Sequence, residues 1–318
     1  MTSATGAARR AYARAFAIDE IAGCAPLERL YWALLVGALA TFSAWLTDDH
    51  AVADAVNPRR SVPWPWFTAA EHVTSLAARL VTPRETTLVF IALFALLAAG
   101  AWAAIERRWA IAHACLLVLF AFEGAVCLVD ALAWENLHLH HLVLTALFLF
   151  SPHKLAIERR AVVLLYVLSG TAKLTGGWIA GKYFHALASG LPLVPAWAIP
   201  VATNLAIGLE LVGAFGLLSS NARVQRAALA AFVAFHAYSV ALVGFLYPTI
   251  VVGVLLAVFG ARPAPDAVPA DRRALPALGL LALVVFGHAL RFFVPDESLT
   301  TAMNAYGVHM FDANHQCV

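Results

Sequence analysis

Apolar residues along this chain come in long blocks separated by short polar breaks. Blocks of about 17 to 25 residues are long enough to cross a bilayer as helices. Such blocks lie at 30–47, 87–105, 109–133, 196–218, 226–246 and 274–293. Shorter ones lie at 137–151, 161–178 and 248–261. The pattern predicts an all-α integral membrane protein, a bundle of nine transmembrane helices, or eight if one short run is re-entrant. No repeat of 20–50 residues and no low-complexity tract breaks it, beyond general alanine and leucine richness.

Lysine and arginine placement orients the bundle. Basic residues fall in 1–29 (Arg9, Arg10, Arg14, Arg29), 106–108, 152–160, 219–226 and 262–273, while the connections between carry few or none. Short cytoplasmic loops are enriched in Lys and Arg, so the N-terminus is expected inside and the C-terminus outside. The long segment 48–86 does carry Arg59, Arg60, Arg79 and Arg84, but its "SVPWPWF" and "AAEHVTSLAARL" suit an outer interfacial loop. The expected organisation is a cytoplasmic or interfacial segment at 1–28, a transmembrane domain at 29–293 and an outer tail at 294–318. Residues 1–28 read as a surface helix, with a disordered tail as the alternative. The first apolar run starts too late for a cleavable signal peptide.

Composition agrees. Hydrophobic residues make up 62% of the chain and charged ones 13%, with mean hydropathy +0.79, against about 25% charged in soluble domains. A net charge of +2 argues against nucleic acid as a partner. The four cysteines are too scattered for a disulfide framework or a zinc pattern. No GxGxxG, P-loop, HExxH or GxSxG pattern stands in a fitting context.

The candidate chemistry lies in the few ionisable residues inside the blocks. Lys173, in "VLSGTAKLTGGW" (167–178), carries an ammonium whose insertion at membrane depth costs about 3 kcal/mol. It lies near the outer end of its run, where it could snorkel to headgroups. Against that, Ser169, Gly170, Thr171 and Ala172 before it are small, as on a face packed against other helices. A lysine held there, away from water, is a candidate base. His138, His140 and His141 begin the 137–151 run on the same outer side. Glu123 and Asp130 occupy the outer half of 109–133, His236 and Glu210 lie mid-run, and His288 lies toward the outer end of the last run. His138 and His141, three residues apart, share a helix face that could hold a metal. No third ligand is identified, and no metal is expected. The other readings are interfacial histidines without special role, or proton transfer with a polar neighbour. Glu123, Asp130, Glu210 and His236 are expected to pair with something, because unpaired charge in hydrocarbon is costly. Trp178 reads as an interfacial anchor.

"YVLSGTAKLTGGWIAGKYF" (166–184) resembles the G-x-x-K-L-x-x-x-W-x-x-G segment of the vitamin K-dependent gamma-carboxylases and of their bacterial relatives, the HTTM (horizontally transferred transmembrane) proteins. "WENLHLHHLVLTALFLFSP" is similar to the family's W-N-N-H segment, and "AFHAYSVALVGFLYPTIVVG" to its F-H span. "MNAYGVHMFDANHQCV" is similar to the entry into its outer β-rich domain. The resemblance runs from about residue 26 onward. It implies that Lys173 is the base acting on reduced vitamin K or menaquinone. Oxygen would then add to the quinol anion, and the strong base so formed would take a glutamyl proton before carbon dioxide adds. It further implies a supporting role for His138, with His140 as an equal match because Glu135 is extra here. The family's paired lysines are represented by Ala172 and Lys173. The carboxylases continue into a large luminal domain at the point where this chain reaches Val318.

The expectation is therefore a quinone-using carboxylase- or epoxidase-like enzyme. It would sit in the bacterial cytoplasmic membrane with its active side outward, and would modify a secreted peptide or work with a separate outer-domain protein. Two alternatives stand beside it. One is a maturation factor for a secreted toxin or bacteriocin-type peptide. The other is a non-enzymatic membrane protein that binds lipid or scaffolds partners, with Lys173 paired to an acid such as Glu123 or Glu210.

Overall fold

The computed structural model describes residues 2–47, 83–129, 136–182, 184, 190–261 and 271–290. Most of the expected outer loop 48–86, Asp130, Glu135, and the tail 294–318 with Cys317 lie outside them. Every regular element among the described residues is helical: α1 (Thr2–Ala15), α2 (Ala25–Thr47), α3 (Pro83–Ile105), α4 (Trp109–Val129), α5 (Asn136–Phe150), α6 (Lys154–Ala172), α7 (Ile199–Gly208), α8 (Ala222–Val243), α9 (Leu246–Phe259) and α10 (Leu275–Leu290). The chain is an all-α membrane protein. Six helical stretches are long and apolar enough to cross: Ala25–Leu46, Thr87–Ile105, Trp109–Leu128, Ala196–Gly216, Ala222–Val243 and Arg272–Ala289. Leu137–Phe150 and Leu246–Phe259 are apolar but shorter. Large apolar side chains stay exposed along these helices, among them Ile91, Leu205, Val212, Leu283 and Phe286. Such a surface suits lipid and would be an aggregation liability in water.

The described residues form two compact units, 2–154 with 271–290, and 155–261. In the first, α2, α3, α4 and α5 pack together and α10 lies against α5. Arg107, at φ 56°, turns the chain from α3 into α4. The N-terminal segment is folded onto this unit. Tyr12 donates from its hydroxyl to His113 Nδ1 at 2.8 Å, and His113 Nε2 donates to the Leu149 carbonyl at 3.1 Å. Phe16 packs on His113 and Phe150, with ring centroids 5.2 and 5.9 Å away.

One boundary differs from the sequence expectation. The helix of the 161–178 run starts at Lys154 and ends at Ala172, so it begins among charges that the hydrophobic pattern excludes. Two partners explain this. The Glu20 carboxylate accepts the backbone N–H groups of His153 and Lys154, both at 2.9 Å, and so caps α6 from a distant part of the chain. The fully buried Lys154 ammonium donates to the carbonyls of Phe148, Leu149 and Ser151 at 2.5, 3.3 and 3.0 Å. That places a cation on the negative end of α5. In the second unit, Arg159 Nε donates to the Val258 carbonyl at 3.0 Å, near the end of α9.

Candidate functional site

Lys173 follows the last residue of α6, where the backbone tightens. Its N–H donates to the Gly170 carbonyl at 3.1 Å, and its own carbonyl accepts from Thr175 at 2.8 Å. The side chain is only 1% exposed. Its Nζ donates to Glu210 Oε2 in a buried ion pair.

Glu210 reaches that position from an interrupted helix. Between α7 and Ala214–Gly216 the backbone widens into a π turn, Leu209–Gly213. Such single-turn bulges are rare and recur at functional sites. Glycine makes the approach possible on the other side. A Cβ on Gly170 would stand 2.9 Å from Leu211 Cγ and 3.1 Å from Glu210 Cβ. The small residues before Lys173 thus do form a closely packed face, and its partner is the π turn.

Aromatic groups surround the pair. Lys173 Nζ lies 5.5 Å from the Trp178 ring centroid, within cation–π range. Trp178, expected as an interfacial anchor, is buried and packs edge-on to Phe184 at 5.1 Å, in a cluster with Leu191 and Ile199. The exposed indole of this region is Trp197. Tyr166, two turns before Lys173 on α6, shares a 2.7 Å hydrogen bond between its hydroxyl and His236 Nε2. The Tyr247 ring centroid is 6.2 Å from that of His236. Glu210 is within electrostatic reach of both tyrosines. Lys173, Glu210, Tyr166, His236, Tyr247 and Trp178 therefore form one polar-aromatic cluster inside the second unit.

The first unit holds a separate cluster. Glu123 on α4 is fully buried. Its Oε2 is 2.7 Å from His141 Nδ1, and its Oε1 is 3.3 Å from His138 Nδ1. His141 Nε2 donates to the Leu34 carbonyl at 2.8 Å. The shared face of His138 and His141 therefore meets a carboxylate. With both His141 nitrogens engaged by protein oxygens, that ring offers no lone pair to a metal. Among the described residues no group of three or more His, Cys, Asp or Glu has metal-holding geometry.

Among the described residues, each cluster draws its members from one unit. Glu123 pairs with the histidines and Glu210 with Lys173, a division the spacing of the residues could not specify. His140 is half-buried and His288 buried. Sequence reasoning missed Lys154 and Arg159 as buried groups and read them as loop charges. Each is brought to the carbonyl-rich end of a helix, a place that favours cations, and for Arg159 that helix end is α9, which its place in the sequence does not reveal. Comparison of the chain with family models, curated proteins and solved structures gives no match in any of the three.

Proposed function

We propose that this chain is a gamma-carboxylase-like membrane enzyme that uses reduced quinone and O2, with Lys173 as its proton-accepting group. The observation that carries the reading is the buried Lys173–Glu210 pair, held by a π turn beside the face of Trp178. The side-chain types are ones a quinol could meet: an amine paired with a carboxylate and close to an indole, with the phenols of Tyr166 and Tyr247 in the same unit. Trp178 and the two tyrosines would hold the quinol, which when bound supplies an acidic phenolic O–H and reducing electrons.

The chain's own residues would then move one proton. An ammonium–carboxylate pair in a dry site stands close in free energy to its neutral amine–acid form, because burial penalises both charges together. Transfer from Lys173 Nζ to Glu210 Oε2 leaves a free amine that can accept the quinol proton. Glu210 is thus the holder of the proton that Lys173 must first shed. Carbon dioxide enters only where a secreted peptide, presented by a separate outer-domain protein, supplies a glutamyl group. In this reading the bundle has nine spans, or eight, within 29–293, with the N-terminus inside and the C-terminus and active side outward. The membrane is the bacterial cytoplasmic one.

The test is epoxide formation by the purified chain in nanodiscs given reduced menaquinone and O2. Activity should appear, and Lys173→Ala should abolish it. Equal product with and without Lys173 refutes the assignment.

The ion pair itself favours a second reading, in which Lys173 and Glu210 only tie α6 to the π turn of a lipid-binding or scaffold protein. Lys173→Met combined with Glu210→Leu separates the two. Under the tie the protein keeps whatever it does, whereas under the enzyme it stays folded and inactive. Maturation of a secreted toxin-type peptide is a variant of the first reading and shares its lysine dependence.

A further inference from the structure

We infer that Glu123 and His141 are positioning residues that present His138 as a proton acceptor through its Nε2 atom. The argument is a count of protons and acceptors inside the first unit, and it does not rest on any role for Lys173.

The Leu34 carbonyl can only accept, so His141 Nε2 carries a hydrogen on the 2.8 Å contact. On its other side Nδ1 meets Glu123 Oε2 at 2.7 Å. That contact also needs one proton, which makes His141 an imidazolium against a carboxylate or shares the proton between them. The second carboxylate oxygen, Oε1, faces His138 Nδ1 at 3.3 Å. It is an acceptor as well, so the hydrogen of a neutral His138 ring sits on Nδ1. The lone pair is then on Nε2. No hydrogen-bond partner to that nitrogen occurs among the described residues.

The packing fixes this arrangement. Trp45 on α2 lies over the His138 ring, with centroids 5.4 Å apart and planes 32° apart, and limits its rotation. Gly37 leaves the slot for His141: a Cβ there would come within 2.6 Å of the imidazole Cδ2. Exposure separates the three members. The Glu123 side chain is 0% exposed and that of His141 2%, whereas that of His138 is 7%. One histidine is spent on both nitrogens to hold the carboxylate, and the other is aimed by it. A carboxylate orienting an imidazole through Nδ1 is the recurring way to make Nε2 a base.

The experiment is nitrogen NMR of the full chain in nanodiscs, labelled with 15N-histidine. The twelve histidines are resolved by difference with His138→Gln and His141→Gln. The neutral His138 ring should show a protonated Nδ1 and a bare Nε2, and His141 should show hydrogens on both nitrogens or a shared one on Nδ1. Glu123→Gln should release both patterns and Glu123→Asp should largely restore them. A His138 ring carrying its hydrogen on Nε2 in the wild type overturns the inference, and so does a Glu123→Gln spectrum unchanged at both rings. If Glu123→Gln does not fold, the wild-type tautomer decides alone. Lys173→Met should leave these signals in place, so failure of the quinol reading and failure of this one give different results.

Discussion

At the residue scale, two glycines make opposite predictions from the same chemical change. Gly170→Ala puts a Cβ where Leu211 and Glu210 already stand, and overpacking of this kind costs about 1–3 kcal/mol. It should lower the unfolding temperature in detergent and separate Lys173 from Glu210. Gly208, on the same helix as Glu210, has nothing within 4 Å of an added Cβ. Gly208→Ala should be neutral or stabilising by up to about 1 kcal/mol, since glycine weakens a helix interior. Equal losses at both sites would remove the close approach as the reason for Gly170. Glu210→Gln strands a buried ammonium and should cost about 3–5 kcal/mol. The double replacement Lys173→Met with Glu210→Leu should recover most of it, because removing both charges avoids the desolvation penalty. Chemical denaturation of both variants beside the wild type measures this directly.

At the element scale, the helix ends carry the predictions. Lys154→Met takes the ammonium from three carbonyls at the end of α5, of which only that of Leu149 keeps a second side-chain donor, His113. Losing hydrogen bonds to a charged group costs about 1.5–3 kcal/mol, so hydrogen exchange should accelerate in the last turn of α5 before it does elsewhere. The start of the last helix has a pH signature. The Asp271 carboxyl accepts the Arg273 N–H at 2.9 Å. That bond, the Arg273 guanidinium and His153 hold the carboxyl below its ordinary value. A depressed carboxyl stabilises the fold while it is ionised, and the contribution disappears as pH falls through the folded value. Fraying of Arg272–Ala274 should therefore increase on acidification, and Asp271→Ala, which removes the accepting oxygen, should show that fraying at neutral pH and no further change below it. Being exposed to water, this cap acts locally.

At the scale of the whole molecule, the orientation proposed from basic residues is open to a labelling test. Cys24 is partly exposed beside the N-terminal segment, while Cys115 and Cys127 are buried. In a Cys317→Ser background, an impermeant maleimide should label Cys24 only when the cytoplasmic side of the membrane is accessible. Labelling from the outer side of intact cells would invert the bundle, and with it the outward-facing site. The exposed apolar belts of α3, α7 and α10 imply a second whole-molecule result: transfer from nanodiscs into buffer without detergent should precipitate the protein.

The sequence alone determined the helical, membrane-embedded character, because blocks of apolar residues of bilayer length admit little else. It also singled out Lys173, since one ammonium in an apolar run has few explanations, and it marked the small face before it at Gly170. What it left open was partnership. Glu123 and Glu210 are both acids within apolar runs, and nothing in their spacing says which meets the lysine and which the histidines. Only tertiary packing decided that, through a π turn that swings Glu210 toward α6 and a glycine at 37 that admits His141 beside Leu34. The charges at 154 and 159 were misread for the same reason: a cation's surroundings in a membrane protein are the ends of other helices, and those are assembled only when the chain folds.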